Sequence, residues 1–327
     1  MMCPSSLIKL FVMMVLSIAS ASFAATKQDY PNKPLRLIVP FPPGGGNDIL
    51  ARTVSQRLSE VIGQQIVVEN RGGAGGLIGA TTAASAVPDG YTLFLGSIGN
   101  LAHIPALQKK LPYDPIRDFA PITLLATSSF VLGVNPSLAV SSVKEFIALA
   151  KSKPGSLNYA SGGSGSSLHM TAELFKYVTA TNIVHVAYKG AIPALTDLIA
   201  GQVQVIFSTM PPILPHVKSG KVRALGTSGP RRAASTPDIP TVAESGVPEF
   251  VVLNWQGIVV QRKTPLSIIQ TLHRDMVKTM ALSGMTENMN SQGLESTTSS
   301  SEQFGDLIRS EIDKYRKVVA AAGIKVD

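Results

Sequence analysis

Short apolar runs alternate with stretches whose apolar residues recur at helical spacing. The runs Leu35–Val39, Ile66–Glu69 and Thr92–Leu95 read as strands. After the first of them, Leu50, Val54, Leu58 and Val61 follow at intervals of four, four and three, which puts them on one face of a helix. Asn47 or Asp48 is the expected N-cap of that helix. The βαβα rhythm predicts a parallel sheet with helices on both faces.

The rhythm restarts near residue 130. Phe130–Val134 reads as a strand, and Ser142-Val143-Lys144-Glu145 as a capping box whose helix ends at Lys153-Pro154-Gly155. Asn158–Ala160 is a short strand that runs into the glycine-rich Ser161–Ser167 and then a helix with Leu168, Ala172, Phe175 and Val178 on its apolar side. Ile183–Val186 follows, then a helix with Pro193 in its first turn and Gly201 at its end, then strands Val203–Phe207 and Val222–Leu225. Beyond Gly226 two helical patterns dominate. One starts at Thr264-Pro265 and carries Ile269, Leu272, Met276 and Met280. The other opens with a Ser300 to Gln303 capping box, carries Phe304, Ile308, Ile312, Tyr315 and Val318, and closes at Gly323. These helices need a sheet to cover, so the chain is expected to return to its first unit. The resulting organisation is α/β with two domains. Domain 1 comprises residues 25–126 and 228–327, domain 2 residues 127–227, and the connections lie near Thr123–Ser128 and Gly226–Arg231. Two such connections suit closure around a ligand.

The first 24 residues change the picture of location. Lys9 is their only charge, Leu10–Ala19 is apolar but too short to span a bilayer, and Ser22-Phe23-Ala24 offers small residues for cleavage after Ala24, with Ala21 a second candidate. This reads as a secretory signal peptide. The single cysteine, Cys3, lies within it, so the secreted chain would have no disulfide, thiol nucleophile or thiolate metal ligand. About 300 residues remain, more than one domain usually holds. The net charge of +8 suits an anionic partner. The basic residues are scattered, with only pairs such as Lys109-Lys110 and Arg231-Arg232, and aromatics are few, which argues against nucleic acid.

Candidate chemistry gathers at the loops. Phe41-Pro42-Pro43-Gly44-Gly45-Gly46-Asn47-Asp48 joins a strand to a helix N-terminus. There, unpaired N–H groups and the helix dipole favour a carboxylate or phosphate. Taken alone the loop is equally a tight turn. Ser161–Ser167 repeats the arrangement in the second unit, and ligands of open α/β sheets bind beyond the carboxyl ends of the strands, which tips the balance towards binding. Ser97-Ile98-Gly99-Asn100 and Ser208-Thr209 are further polar strand ends. Arg71–Gly76 reads as a flexible turn that could line the cleft entrance, Asp197 as a solvated helix face and Trp255 as core. His169 either touches a ligand or packs. Catalytic motifs fail: Ser164 and Ser166 lack the nucleophile-elbow glycines, no GxxxxGK[ST] or GxGxxG occurs, and the five histidines show no metal spacing. No catalytic residue, metal or cofactor is expected. A secreted α/β hydrolase would need a Ser–His pair that the spacing does not reveal.

The segment Tyr30-Pro31-Asn32-Lys33-Pro34 leading to Ile38-Val39-Pro40-Phe41-Pro42-Pro43-Gly44-Gly45 resembles the opening of the Bug-type (TctC-like) receptors, the extracytoplasmic solute receptors of tripartite tricarboxylate transporters. Val68-Glu69-Asn70-Arg71-Gly72-Gly73-Ala74-Gly75-Gly76, Pro88-Asp89-Gly90-Tyr91-Thr92-Leu93, Leu111-Pro112-Tyr113-Asp114-Pro115, His185-Val186-Ala187-Tyr188-Lys189-Gly190, Pro237-Asp238-Ile239-Pro240-Thr241 and Ala322-Gly323-Ile324-Lys325 continue the likeness in order along the chain. The resemblance implies a type II periplasmic-binding-protein (Venus-flytrap) fold. It also implies a periplasmic, monomeric, non-enzymatic receptor that captures a small carboxylate (a di- or tricarboxylate, an amino acid or an aromatic acid) and delivers it to membrane permease subunits, with a two-component sensory role as the alternative. The implied ligand-binding residues are Phe41, Gly44, Gly45, Asn47 and Asp48 from the first loop and Ser161, Gly165, Ser166 and Ser167 from the second, with Ser97, Asn100, Tyr188 and Ser208 at the far end of the ligand; His169 is a candidate only from its place in the turn after the second loop. Two positions depart from the pattern. Gly72 and Ala187 stand where many members have proline, and either could loosen the cleft rim.

Overall fold

The computed structural model describes residues 30–108 and 110–324. The expected signal peptide, its cleavage position and Cys3 lie outside the described residues. From Lys33 onward the chain forms one unit.

Strands β1 (Leu35–Val39), β2 (Ile66–Asn70) and β3 (Thr92–Ser97) are parallel with β1 in the middle. β1 is buried along its length except at Arg36, as expected of a parallel strand covered on both faces. Helices α1 (Gly46–Ile62) and α2 (Leu77–Ala84) make the crossovers. α1 begins earlier than the expected Asn47 or Asp48 cap, because Gly45 takes the extended N-cap conformation. Asp48 then stands inside the first turn and reaches back, its Oδ2 accepting from the Gly44 N–H at 2.9 Å. After a π-helical turn, Gly99–His103, and the short α3 (Ile104–Leu107), the chain enters β4 (Phe119–Val134).

The second unit contains α4 (Val143–Ser152), β5 (Asn158–Ser161), α5 (Ser167–Thr179), β6 (Val184–Ala187), α6 (Ala191–Ile199), β7 (Val205–Thr209), α7 (Met210–Lys218) and β8 (Arg223–Thr227). β5 lies parallel between β6 and β7. The expected capping box of α4 is only half formed. Ser142 Oγ accepts from the Glu145 N–H, whereas the Glu145 carboxylate takes the N–H and hydroxyl of Ser141. Then come β9 (Leu253–Gln261), α8 (Leu266–Met280), α9 (Met285–Ser291), the two-residue β10 (Glu295–Ser296) and α10 (Ser301–Ala322). α10 carries the full Ser300–Gln303 box and ends on a left-handed Gly323. It buries Phe304, Ile308, Ile312 and Tyr315.

The strands run in the order β2-β1-β3-β9-β4-β7-β5-β6, with β8 and β10 also paired to β4. β9 was not anticipated from the sequence. The expected connection at Thr123–Ser128 is the interior of β4. Phe119–Ser129 pairs antiparallel with β9, and Phe130–Val134 pairs with β7 on one edge and β8 on the other. One apolar core links Ile38, Phe94 and Phe304 with Phe130, Phe175 and Phe207. Trp255 belongs to it, packed edge-on against Phe304. Among the described residues no helix is long and apolar enough to cross a membrane.

Candidate functional site

Four strand ends converge. β1 leads into Phe41–Asp48, β5 into the loop before α5, β3 into Ser97–Asn100, and β7 into Thr209. The loops meet at backbone distance. A Cβ on Gly46 would stand 2.7 Å from Thr209 Oγ1, one on Gly99 would lie 3.3 Å from the Ser167 N, and one on Gly190 would touch the Pro42 ring at 3.1 Å. The Arg71–Gly76 turn is not a free rim. At Gly75 (φ +65°) an added Cβ would fall 2.6 Å from the Ser164 carbonyl oxygen and 3.3 Å from the Ser166 N. Gly72 is pressed on Pro42, 2.8 Å from its Cδ, so this departure from the family pattern accommodates the Pro42 ring.

Between the loops lies a cavity of ≈ 30 Å³ lined by Phe41, Pro42, Gly45, Gly46, Asn47, Gly162, Ser166, Ser167, Leu168, Ala191 and Thr209. None of these side chains carries a formal charge. The first turns of α1 and α5 both face it, so it is bordered by two sets of N–H groups and two positive helix ends. Ser166 caps α5 by accepting from the His169 N–H at 3.3 Å. Asn47 is only 7 % exposed; its Oδ1 accepts from Gln256 Nε2 at 2.7 Å and its Nδ2 has no partner. The volume holds a water or two, so a ligand of several carbons requires the loops to draw apart.

Of the residues expected from the sequence, Phe41, Gly45, Asn47, Ser166 and Ser167 line this cavity. The others do not line it, and their polar groups are engaged in bonds of their own. The Gly44 N–H is held by Asp48, whose carboxylate also accepts from Asn70 Nδ2 and Arg52 Nε. Burial pushes the Asp48 carboxyl up, but hydrogen bonds from Arg52, Gly44 and Asn70 outweigh it and hold the group below its ordinary value. Ser97 and Asn100 bind each other, N–H to Oδ1 at 3.0 Å and Nδ2 to Oγ at 3.1 Å. The Gly165 N–H donates to His169 Nδ1 at 3.2 Å. The Tyr188 hydroxyl donates to Asp197 Oδ2 at 2.7 Å, so Asp197 is not merely a solvated residue. Burial and that carboxylate push the Tyr188 hydroxyl up to about 12. Ser208 is fully buried, and its hydroxyl donates to the Thr209 carbonyl. Strand alternation gives the cavity side to Thr209. The sequence reading did not single out Pro42, Gly46, Gly162, Leu168 or Ala191 as lining residues, and had Thr209 only as a polar strand end. Gly46 and Gly162 sit inside the glycine loops that signalled the site, and Ala191 had no signal at all.

A Ser–His pair does exist. Ser161 Oγ and His185 Nε2 are 2.6 Å apart, and the His185 ring stacks on His169 with 4.3 Å between centroids. Ser161 is fully buried, and the same Oγ accepts from the Gly163 N–H at 3.1 Å. This geometry fixes the loop. A far larger depression, ≈ 890 Å³, lies along α10 and residues 105–117. Its arginines are each paired to a neighbouring aspartate, Arg117 to Asp118, Arg309 to Asp306 and Arg316 to Asp313. These described arginines are not free to converge on an anion, and the smaller cavity is the better candidate.

A profile of the tripartite tricarboxylate transporter family receptor (TctC) matches residues 50–324. The chain belongs to that family. BugT of Bordetella pertussis is 36% identical over 321 residues, covering 97% of this chain and 98% of that protein. Among solved structures, Rpa4515 of Rhodopseudomonas palustris with adipate superimposes with a TM-score of 0.88 at 34% identity, covering 91% of this chain and 100% of the other. MatC from the same organism, with bound malate, gives 0.85 at 30% identity, covering 89% and 100%. The fold is therefore that of the TctC and Bug periplasmic solute-binding proteins.

Proposed function

We propose that this chain is a periplasmic receptor that binds a small carboxylate between Phe41–Asp48 and Ser161–Ser167 and delivers it to the permease of a tripartite transporter. The observation that carries this reading is the convergence of the α1 and α5 N-termini, with the unpartnered Asn47 amide, on one cavity without a charged side chain. Such a site binds an anion through N–H and hydroxyl donors in a desolvated pocket, each charge-assisted bond contributing about 1.5–3 kcal/mol. The adipate and malate bound by relatives of the same fold support a carboxylate. In this reading residues 25–126 with 228–327 and residues 127–227 are the two lobes, and they close over the ligand as a monomer. The function is binding and not catalysis, since Ser161 and His185 are occupied in holding the loop.

The test is a thermal-shift screen of the secreted form, refolded to strip carried-over ligand, against a panel of carboxylic acids. A ligand that binds only the folded state raises the melting temperature by mass action. A shift with one class of acid is expected, and a shift confined to neutral or cationic solutes would overturn the carboxylate assignment. Uptake of the labelled acid should fall in cells lacking the gene; unchanged uptake would remove the transport role.

A further inference from the structure

Building on the carboxylate reading, we propose that Asn47 and Gln256 form a second recognition point that reads a neutral hydrogen-bonding group. The site would then prefer a monocarboxylate bearing a hydroxyl or carboxamide to a dicarboxylate. Gln256 is fully buried, donates to Asn47 Oδ1, and has an Oε1 without a partner. It stands on β9 directly across from Ser97, and directly opposed residues of an antiparallel pair share a face of the sheet. That face reaches the α5 N-terminus, since a Cβ on Gly99 would lie 3.8 Å from Ser97 Oγ and 3.3 Å from the Ser167 N.

The pair leaves one free donor, Asn47 Nδ2, and one free acceptor, Gln256 Oε1. This does not depend on how the amides are oriented. Turning both makes Asn47 the donor and Gln256 the acceptor, and one of each still remains. Buried amide groups of this kind are rarely left unpaired, so they mark where a ligand group can complete the bonding. A hydroxyl or a carboxamide can donate and accept at once. A carboxylate only accepts, so it would meet the donor but oppose the acceptor. Among the described residues no lysine, arginine or histidine lines the cavity to offset a second negative charge. The two helix ends together amount to roughly one positive charge, enough for a single carboxylate. The one nearby buried carboxylate, Asp48, is already held by Arg52 and Asn70.

The experiment is calorimetric titration with four acids on the six-carbon frame of the adipate seen in a relative: hexanoate, 6-hydroxyhexanoate, adipate monoamide and adipate. The hydroxy acid and the monoamide should each bind about tenfold more tightly than hexanoate, and adipate more weakly than the monoamide. In Gln256→Met the ratio of 6-hydroxyhexanoate to hexanoate affinity should collapse towards one. Gln256→Glu, which keeps the shape and adds an acceptor and a charge, should weaken adipate most of all. Melting temperatures of the unliganded variants report whether each still folds. Adipate binding best, or the ratio surviving in Gln256→Met, would overturn the inference while leaving the carboxylate site intact. No binding of any of the four acids, with a thermal shift by another acid of the panel, would overturn the inference alone, and no shift by any carboxylic acid of the panel would overturn the underlying carboxylate reading with it.

Discussion

Replacing Gly75 by alanine isolates the contact between the Arg71–Gly76 turn and the Ser161–Ser167 loop. Two costs arise. Gly75 sits at φ +65°, where an L-residue pays about 1 kcal/mol. The new Cβ would also lie 2.6 Å from the Ser164 carbonyl oxygen, roughly an ångström inside ordinary contact, and backbone cannot rotate away as a side chain can. Overpacking of this order costs about 1–3 kcal/mol. Gly63 supplies the control. It has nearly the same backbone conformation, φ +67°, and nothing within 4 Å of an added Cβ. Gly63→Ala should therefore cost about 1 kcal/mol and lower the melting temperature by about 2–4 °C, with affinity untouched. In Gly75→Ala the overlap exists only while the turn keeps its contact with the Ser164 carbonyl, so the unliganded protein can relieve it by parting turn from loop, losing the frame that would hold the ligand. The excess should appear in binding, about five- to hundredfold weaker for the acid identified by the screen, while the unliganded melt resembles that of Gly63→Ala. Calorimetry and thermal melts on the two variants make the comparison. Equal affinity in both would refute the idea that the turn and the loop act together in holding the ligand.

Asp48→Asn should lower stability by about 1–3 kcal/mol at neutral pH, mainly through the buried bonds to Gly44 and Asn70, since the exposed Arg52 contributes little. The Asp48 carboxyl is depressed, so its contribution is present above the ordinary value of 3.8 and is lost as the pH falls through the folded value. Urea titrations should show the gap between wild type and variant narrowing in acid; a gap that stays constant would refute this assignment. His103 is fully buried with neither ring nitrogen partnered, and burial, aided by Lys314 and His169, lowers it from 6.5 to about 3. Below 6.5 the unfolded chain takes up a proton that the folded chain refuses, so wild-type stability should fall by about 1.4 kcal/mol per pH unit towards about 3. His103→Phe should remove that slope, and parallel pH profiles would rule the assignment out.

Local pattern made the parallel strands and the outer helices legible. β1 is an apolar run broken only by Arg36, and the terminal helix carries both its capping box and its closing glycine. β9 and the part of β4 before Phe130 were hidden for a physical reason. They mix Asn254, Gln256 and Gly257 or Pro121, Thr123 and Ser128 into the apolar sequence, and they become strands because they pair with each other across more than a hundred residues. The site divides in the same way. Glycine followed by a helix N-terminus is a local signal and marked both loops that border the cavity. Gln256 reaches Asn47 from 209 positions away and had no local trace, and Thr209, legible only as a polar strand end, meets Gly46 although their strands are not neighbours in the sheet. The Asp48 carboxylate was legible as a polar group near a helix start, but its attachment to Asn70 required the β2 partner to be in place.

Strand β4 has a mechanical consequence. Its sixteen residues pass without a break from the β9 side of the sheet to the β7 side, so the two halves share a single bar of hydrogen-bonded backbone. Such a bar does not swing like a door on a pin. It behaves as a leaf spring, spreading any displacement over many dihedrals and returning it as restoring force. The pairing irregularities between Pro121 and Thr123 and between Leu124 and Ala126 are where the ladder is weakest and where twist can gather. Opening would then be limited in amplitude and elastic, and the tension stored on drawing the loops apart would drive them together again.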